Sequence, residues 1–190
     1  IYPGSKNGSS SEQLRFWLSG IASTAQFWLD LHDGSLTERL LPFVWSWASS
    51  NRLIDEQVKT VIQKIPVAYA AFTEKISMTA ELAQHGCGYL LTESGSFGNY
   101  NTTAINRHIQ WAHVVMSELG MIDEKVKNFP KKIFRRVAEY VIRKKGLWFS
   151  TFSENPIIRT GDILGTVRSL EGKMIEQVIA KEDGIFLWGK

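Results

Sequence analysis

Cysteine is nearly absent from this chain of 190 residues, which contains Cys87 alone. A single cysteine excludes an internal disulfide bond and every metal centre that needs several thiolates. The longest apolar run, at 65–72, is far shorter than the roughly 20 residues of a membrane-spanning helix. Residues 1–4 have neither the basic start nor the apolar core of a secretory leader. These absences lead us to expect a cytoplasmic setting and no membrane partner.

Charge is distributed unevenly along the chain. Residues 1–124 carry 8 Lys/Arg against 12 Asp/Glu, whereas residues 125–190 carry 14 against 7. This asymmetry predicts two domains, at 1–124 and at 128–190. The tract 125–145 holds nine Lys/Arg and one acid, Glu139. Such a tract is more often a solvated face or a domain junction than a nucleic-acid site, so we expect no nucleic-acid partner and keep that function as an alternative.

The first part of the chain alternates predicted helices and strands. Apolar periodicity and capping residues predict helices at 12–24, 55–65, 68–84 and 102–119, and strands at 25–32, 40–47 and 87–93. This alternation is typical of an α/β domain with a mixed sheet. The last helix is predicted to bury an apolar stripe: Ile105, Ile109, Ala112, Val115, Met116 and Leu119.

The second part has turn signals about every ten residues, with short apolar segments between them. Strands are predicted at 148–152, 163–168, 175–180 and 185–188. The pattern indicates a small all-β domain, which resembles the barrel-sandwich folds of lipoyl and biotinyl carriers. Neither Lys173 nor Lys181 lies in a Met-Lys-Met attachment site, so we expect no covalently attached cofactor.

Two polar residues end predicted strands in the first part. His32 ends one strand and is followed by a glycine turn, and Glu93 ends another. Sites in α/β sheets collect at the carboxyl ends of strands, and parallel strands bring these ends together. An imidazole there can bind a metal, with Asp30 on the same strand face as its partner. A carboxylate there can serve as a general base. The simpler interpretations are a histidine that caps a strand and an acid in a loop.

The other reactive side chains carry weaker signals. His85, His108 and His113 fit structural or exposed positions, and Cys87 fits a buried small hydrophobe. The segment Ser94–Ser96 lacks the Gly-x-Ser-x-Gly spacing of a nucleophile elbow. No glycine-rich phosphate-binding signature occurs.

Several short motifs occur in a consistent order. They are YPG at 2–4, LDLH at 29–32, LTESG at 91–95, TGDILG at 160–165 and a later Ala180 followed by DG at 183–184. Together they resemble the succinylglutamate desuccinylase/aspartoacylase family of zinc carboxypeptidase-like hydrolases. The resemblance covers almost the whole chain.

The resemblance implies a zinc-dependent hydrolase that cleaves the amide bond of an N-acyl amino acid or a similar small molecule. It implies that His32 is a zinc ligand, that Asp30 is its partner, and that Glu93 is the general base. The expected partner is therefore a small-molecule substrate. Whether the protein forms a homo-oligomer stays open.

One part of the family pattern is missing. No His-x-x-Glu, the source of the first two zinc ligands, occurs in the chain. We therefore expect the two further Zn²⁺ ligands upstream of Ile1, in a longer protein, and no catalysis by this fragment alone. The family's substrate-binding arginine has no counterpart before Glu93, and Arg39 and Arg107 are the substitutes considered. A carboxypeptidase-type peptidase and a non-catalytic binding protein on the same fold are the alternatives.

Overall fold

The computed structural model describes residues 4–151 and 155–189. Its helices are α1 (Ser10–Ala22), α2 (Arg52–Lys64), α3 (Ser77–Gln84) and α4 (Thr102–Glu118). Its strands are β1 (Phe27–His32), β2 (Arg39–Leu40), β3 (Phe43–Trp47), β4 (Tyr69–Thr73), β5 (Gly88–Glu93), β6 (Lys132–Phe134), β7 (Leu147–Ser150), β8 (Ile157–Ile158), β9 (Ile163–Arg168), β10 (Met174–Ile179), β11 (Gly184–Ile185) and β12 (Trp188–Gly189). Within the described ranges, no helix is long and apolar enough to cross a membrane. Tyr2, Pro3 and Phe152 of the predicted motif and strand lie outside these ranges.

A five-stranded mixed sheet forms the centre of the fold, in the order β1-β5-β3-β4-β6. β1 and β5 are parallel, β3 is antiparallel to β5, and β4 and β6 run parallel to β3. This is the mixed-sheet α/β architecture that the sequence predicts. β1 is an edge strand among the described residues, and it is partly exposed.

Alternation along the strands gives the sheet two unlike faces, because successive side chains point to opposite sides. One face is aliphatic and packs under α2 and α4, with Val44, Ala70, Leu90, Ile62 and Trp111 in its core. We call it the helix-covered face. The opposite face, which we call the site face, has three rows of side chains in register: His32, Glu93, Phe43, Tyr69 and Lys132; Asp30, Leu91, Trp45, Ala71 and Phe134; Trp28, Tyr89, Trp47 and Thr73.

In the described part of the chain, helices pack on one end of the site face. Ala22 of α1 and Leu82 of α3 form a small cluster with Tyr89 of the third row, and Trp28, Trp47 and Leu91 pack against it. The His32 side chain is 44% exposed, that of Asp30 32% and that of Glu93 16%.

The predicted helix at 68–84 is wrong. The segment forms β4, a turn and then the shorter α3. Ala70 and Ala71 are almost fully buried, and β4 pairs with both β3 and β6. The helix propensity of alanine is a weak preference, and a central position in the sheet overrides it.

The predicted stripe of α4 is only partly correct. Ile105 and Ile109 are 40% and 52% exposed, whereas Ala104, Trp111, Val114 and Val115 are buried. The helix is turned so that the large Trp111 ring faces the sheet. Burying this ring removes more apolar surface from water than burying either isoleucine would.

The last third of the chain is all-β, as predicted. β10, β9 and β7 form an antiparallel sheet, and β11 pairs with β8. The predicted strand at 185–188 is divided between β11 and β12.

Two strands of the all-β part pair with strands of the α/β part. β6 pairs with β4 in the central sheet, and β12 pairs with β2. The division into domains at 1–124 and 128–190 stays a prediction. A cut at that point would remove a strand from each of two sheets.

Candidate functional site

The carboxyl ends of β1 and β5 lie side by side at the edge of the site face. Their parallel register pairs Asp30 with Leu91 and His32 with Glu93. The expected approach of the two strand ends is thus confirmed. The alternation of both strands also directs the His32, Glu93 and Asp30 side chains to the same side of the sheet.

His32 contacts a carboxylate on each side of its ring. Its Nδ1 lies 3.2 Å from Glu93 Oε1, and its Nε2 lies 3.4 Å from Asp30 Oδ1. The hydrogen bond to Asp30, followed by that to Glu93, raises the pKa of His32 to about 10. The same contact with His32 lowers the pKa of Asp30. The imidazole therefore lies between two carboxylates.

Tyr89 supports Asp30 from the far side. Its hydroxyl donates a hydrogen bond to Asp30 Oδ2 over 2.8 Å. Burial is the main reason that the pKa of Tyr89 is raised, so the phenol stays protonated and remains a donor. Tyr89 is not among the site residues predicted from the sequence. The signal was the alternation of β5, which puts Tyr89 on the same face as Glu93.

His108 connects the backbones of the two strand ends from α4. Its Nε2 lies 3.0 Å from the carbonyl oxygen of His32, and its Nδ1 lies 3.2 Å from Thr92 Oγ1. The Thr92 hydroxyl is in turn 3.1 Å from the carbonyl oxygen of Asp30. The structural role expected for His108 is consistent with these contacts.

The loops that follow β1 and β5 are hydrogen-bonded to each other. Phe97 N–H donates to the Glu38 carbonyl, and Gly98 N–H donates to the Gly34 carbonyl, both over 2.9 Å. Gly95 has a φ of +112°, and a side chain there would collide with the Asp33 carboxylate. The close approach of these loops keeps the ends of β1 and β5 in register.

Aromatic rings occupy the part of the site face next to Glu93. Phe43 stacks on Trp188 with a centroid distance of 5.6 Å and an interplanar angle of 17°. Trp45 lies 6.0 Å from Trp188 and 4.5 Å from Trp47. Trp188 arrives from the last strand, β12, through its pairing with Leu40 in β2.

A cavity of about 550 Å³ lies in the β part of the chain, and Trp188 is one of its lining residues. The segment 136–142, Trp148, Leu164 and Val178 also line it. Neither His32 nor Glu93 lines it.

Comparison with known proteins adds solved structures with the same fold. A succinylglutamate desuccinylase from Silicibacter sp. TM1040 is 15% identical, with a TM-score of 0.81 over 98% of this chain and 60% of the other. The succinylglutamate desuccinylase/aspartoacylase from Rhodobacter sphaeroides is 18% identical, with a TM-score of 0.81 over 99% and 60%. The product-bound ectoine utilization protein EutE from Ruegeria pomeroyi is 15% identical, with a TM-score of 0.81 over 98% and 60%.

The chain has the succinylglutamate desuccinylase/aspartoacylase fold. It spans about 60% of the length of these solved structures. No protein-family model matches the sequence, and no curated protein is significantly similar to it. The likeness therefore identifies the fold, whereas the chemistry depends on the side chains of the site.

The donor set of this desuccinylase-fold chain fits part of a zinc site. Catalytic zinc takes three protein ligands and a water molecule. In the described ranges 4–151 and 155–189, no cluster of three His, Cys, Asp or Glu side chains could hold a metal ion. His32 fits as one ligand, because Asp30 binds its Nε2 and leaves Nδ1 directed towards Glu93. The groups that fit such a site are therefore His32 as one ligand, Asp30 as its partner and Glu93 as a neighbouring carboxylate.

The two arginines named as substitutes for the substrate-binding arginine lie on other elements. Arg39 lies on β2, opposite Gly189. Arg107 lies on α4, the helix that covers the other face of the sheet. Their role in substrate binding stays a prediction.

Proposed function

We propose that this chain is the part of a zinc-dependent hydrolase that carries the general base and one metal ligand. The proposed reaction is cleavage of the amide bond of an N-acyl amino acid or a similar small molecule. The observation that supports it best is the contact between His32 and Glu93 at neighbouring strand ends, with Asp30 behind the imidazole. The desuccinylase/aspartoacylase fold is consistent with this chemistry.

In this proposal His32 would hold the zinc together with two further ligands supplied by a part of the protein upstream of Ile1. Asp30 accepts a hydrogen bond from Nε2–H, which fixes the tautomer and the ring orientation that a metal ligand needs. Tyr89 holds Asp30 in turn. Zinc, when bound, lowers the pKa of a water molecule and polarises the scissile carbonyl.

Glu93 is the proposed general base. Its carboxylate is only 16% exposed and lies at the imidazole nitrogen that would face the metal. From this position it accepts a proton from the attacking water and returns it to the leaving amine. Both transfers require that the carboxylate stay on the substrate side of the sheet, which the register of β5 against β1 provides.

The proposal is tested on the complete gene product, purified without chelator. We expect about one zinc per chain and hydrolysis of N-acetyl or N-succinyl amino acids. Glu93→Gln should lower kcat by roughly 10²–10⁴-fold and leave the zinc content unchanged, because the amide cannot accept the proton. Glu56→Gln is the matched control, since Glu56 is an exposed acid on α2 that pairs with Lys59. Retained activity in Glu93→Gln would contradict the assignment.

The same measurements separate the alternatives. A protein that never takes up zinc, even after supplementation, would be a binding protein on the same fold. Hydrolysis of peptides with a free carboxylate, without hydrolysis of N-acyl amino acids, would indicate a carboxypeptidase-type peptidase.

A further inference from the structure

We propose that Phe43, Trp45 and Trp188 form a substrate subsite beside Glu93, which receives an aromatic or bulky apolar group. The inference rests on the proposed hydrolase function and narrows it to a substrate class. The substrate would be an N-acyl amino acid with such a group on one side of the amide, rather than a second carboxylate.

The register of the sheet determines how close this subsite is to the general base. β3 pairs with β5 so that Phe43 lies opposite Glu93 and Trp45 lies opposite Leu91. Neighbouring strands are about 4.8 Å apart, and these side chains share one face. A group attached next to an amide over Glu93 therefore reaches Phe43 and Trp45 within the length of an amino-acid side chain.

The rings present a carbon surface rather than polar atoms. The indole N–H of Trp45 already donates to Thr73 Oγ1 over 2.9 Å. Phe43 is only 3% exposed, with Trp188 stacked on it, whereas Trp45 and Trp188 remain partly exposed. The accessible part of the subsite consists of two indole rings 6.0 Å apart. Flat apolar groups pack well against such rings.

The charges of the site face oppose a dicarboxylate. Its two carboxylates, Asp30 and Glu93, lie at the β1–β5 edge. Lys132 of β6 is on the same face, but it lies three strands from Glu93, with its ammonium 5.2 Å over the Phe134 ring. The Arg15 guanidinium lies 5.7 Å over the Trp28 ring, in the third row and away from Phe43. A second carboxylate on the substrate would thus lie on indole carbon, close to charges of its own sign.

The position of Trp188 depends on backbone contacts. β12 pairs with β2, and the Leu41 N–H donates to the Leu187 carbonyl over 2.9 Å. These bonds fix the strand that carries Trp188 next to the start of β3. The ring is therefore held in place by the backbone and does not depend on a ligand.

The first test compares substrates on the unaltered complete protein. We expect kcat/KM for N-benzoylglycine or N-acetyl-L-phenylalanine to exceed that for N-acetyl-L-aspartate and N-succinyl-L-glutamate at least tenfold. The better of the two aromatic substrates shows on which side of the amide the subsite lies. Faster hydrolysis of the dicarboxylates would overturn the inference and leave the proposed hydrolase function standing.

The second test uses variants of Trp188. Trp188→Ala should lower kcat/KM for the aromatic substrate about tenfold, through KM, and change that for N-acetylglycine less than twofold. Trp188→Phe should retain most of the activity because a ring remains. Trp17→Ala is the control, since Trp17 is 58% exposed on α1. Equal losses on all substrates would mean that Trp188 has only a structural role.

A binding experiment decides the inference even if no amide is hydrolysed. N-Benzoylglycine is titrated into the complete protein while tryptophan fluorescence is recorded, with N-acetyl-L-aspartate as the comparison. If the aromatic compound binds and Trp188→Ala weakens that binding, the subsite is supported even when no hydrolysis is observed. Absence of binding, or equal binding of both compounds, would overturn it.

Discussion

The two faces of the central sheet differ in composition although they are made from the same strands. The helix-covered face is aliphatic and closed by α2 and α4, whereas the site face carries ionisable and aromatic side chains and, among the described residues, has α1 and α3 packed on one end. In β5, Leu90 is fully buried on one face while Leu91, its neighbour, is partly exposed on the other. Alternation thus lets one strand contribute to stability through every second residue and to the site through the others.

The largest expected difference between the faces is between Leu90→Ala and Leu91→Ala. Leu90→Ala leaves a cavity in the closed core and should lower the free energy of unfolding by about 3 kcal/mol. Leu91→Ala removes a partly exposed side chain and should cost about 1 kcal/mol. Denaturant unfolding of both variants measures the two values. Equal losses would show that the site face is as tightly packed as the other.

A smaller effect is expected at the helix layer. The Lys131 ammonium donates to the carbonyl oxygens of Ile62, Gln63 and Ile65, at the carboxyl end of α2. Lys131→Met leaves these carbonyls without that donor and should lower the free energy of unfolding by about 1–2 kcal/mol at neutral pH. Lys125→Met is the control on an exposed lysine of the same tract.

Lys131 also predicts a pH dependence. Burial lowers its pKa from 10.5 to about 8. Between these two values the unfolded chain binds more protons, so the contribution of Lys131 to stability rises as the pH rises from about 8 to 10.5. The free energy of unfolding, measured across this pH range, should increase less steeply with pH in Lys131→Met than in the unaltered chain. An unchanged slope would show that Lys131 titrates normally.

The smallest effect is expected on the site face itself. Tyr89→Phe removes one hydrogen bond to Asp30 and should lower the free energy of unfolding by about 1 kcal/mol. It should also raise the pKa of Asp30, because that bond helps to keep it low. Carboxylate titration by NMR measures the shift. Tyr69→Phe, on the same face, is the matched control, and a shift of equal size there would contradict the role of Tyr89.

The sequence predicts much of this fold because most elements carry local signals. Asn51 and Asn101 cap α2 and α4, and β1 and β5 show clear alternation before a glycine-containing loop. The split of 68–84 into β4 and α3 could not be predicted, because the pairing of β4 with β3 and β6 is a tertiary effect on an alanine-rich segment. The orientation of α4 depends likewise on where Trp111 finds space.

Part of the candidate site can also be predicted from the sequence. His32, Asp30 and Glu93 follow from strand ends, and the parallel pairing of β1 with β5 brings them into contact. Their catalytic and metal-binding roles stay predictions. Trp188 could not be assigned to the site from sequence, because only the pairing of β12 with β2 places it on Phe43.

That pairing has a consequence for the order in which the site forms during synthesis. The residues that contact one another at His32 and Glu93 emerge from the ribosome well before Trp188 does. Contacts between distant parts of a chain also form slowly, since a long loop must close first. The contact between His32 and Glu93 can therefore form on a nascent chain before Trp188 is in place, and the proposed aromatic subsite would be the last part of the site to assemble.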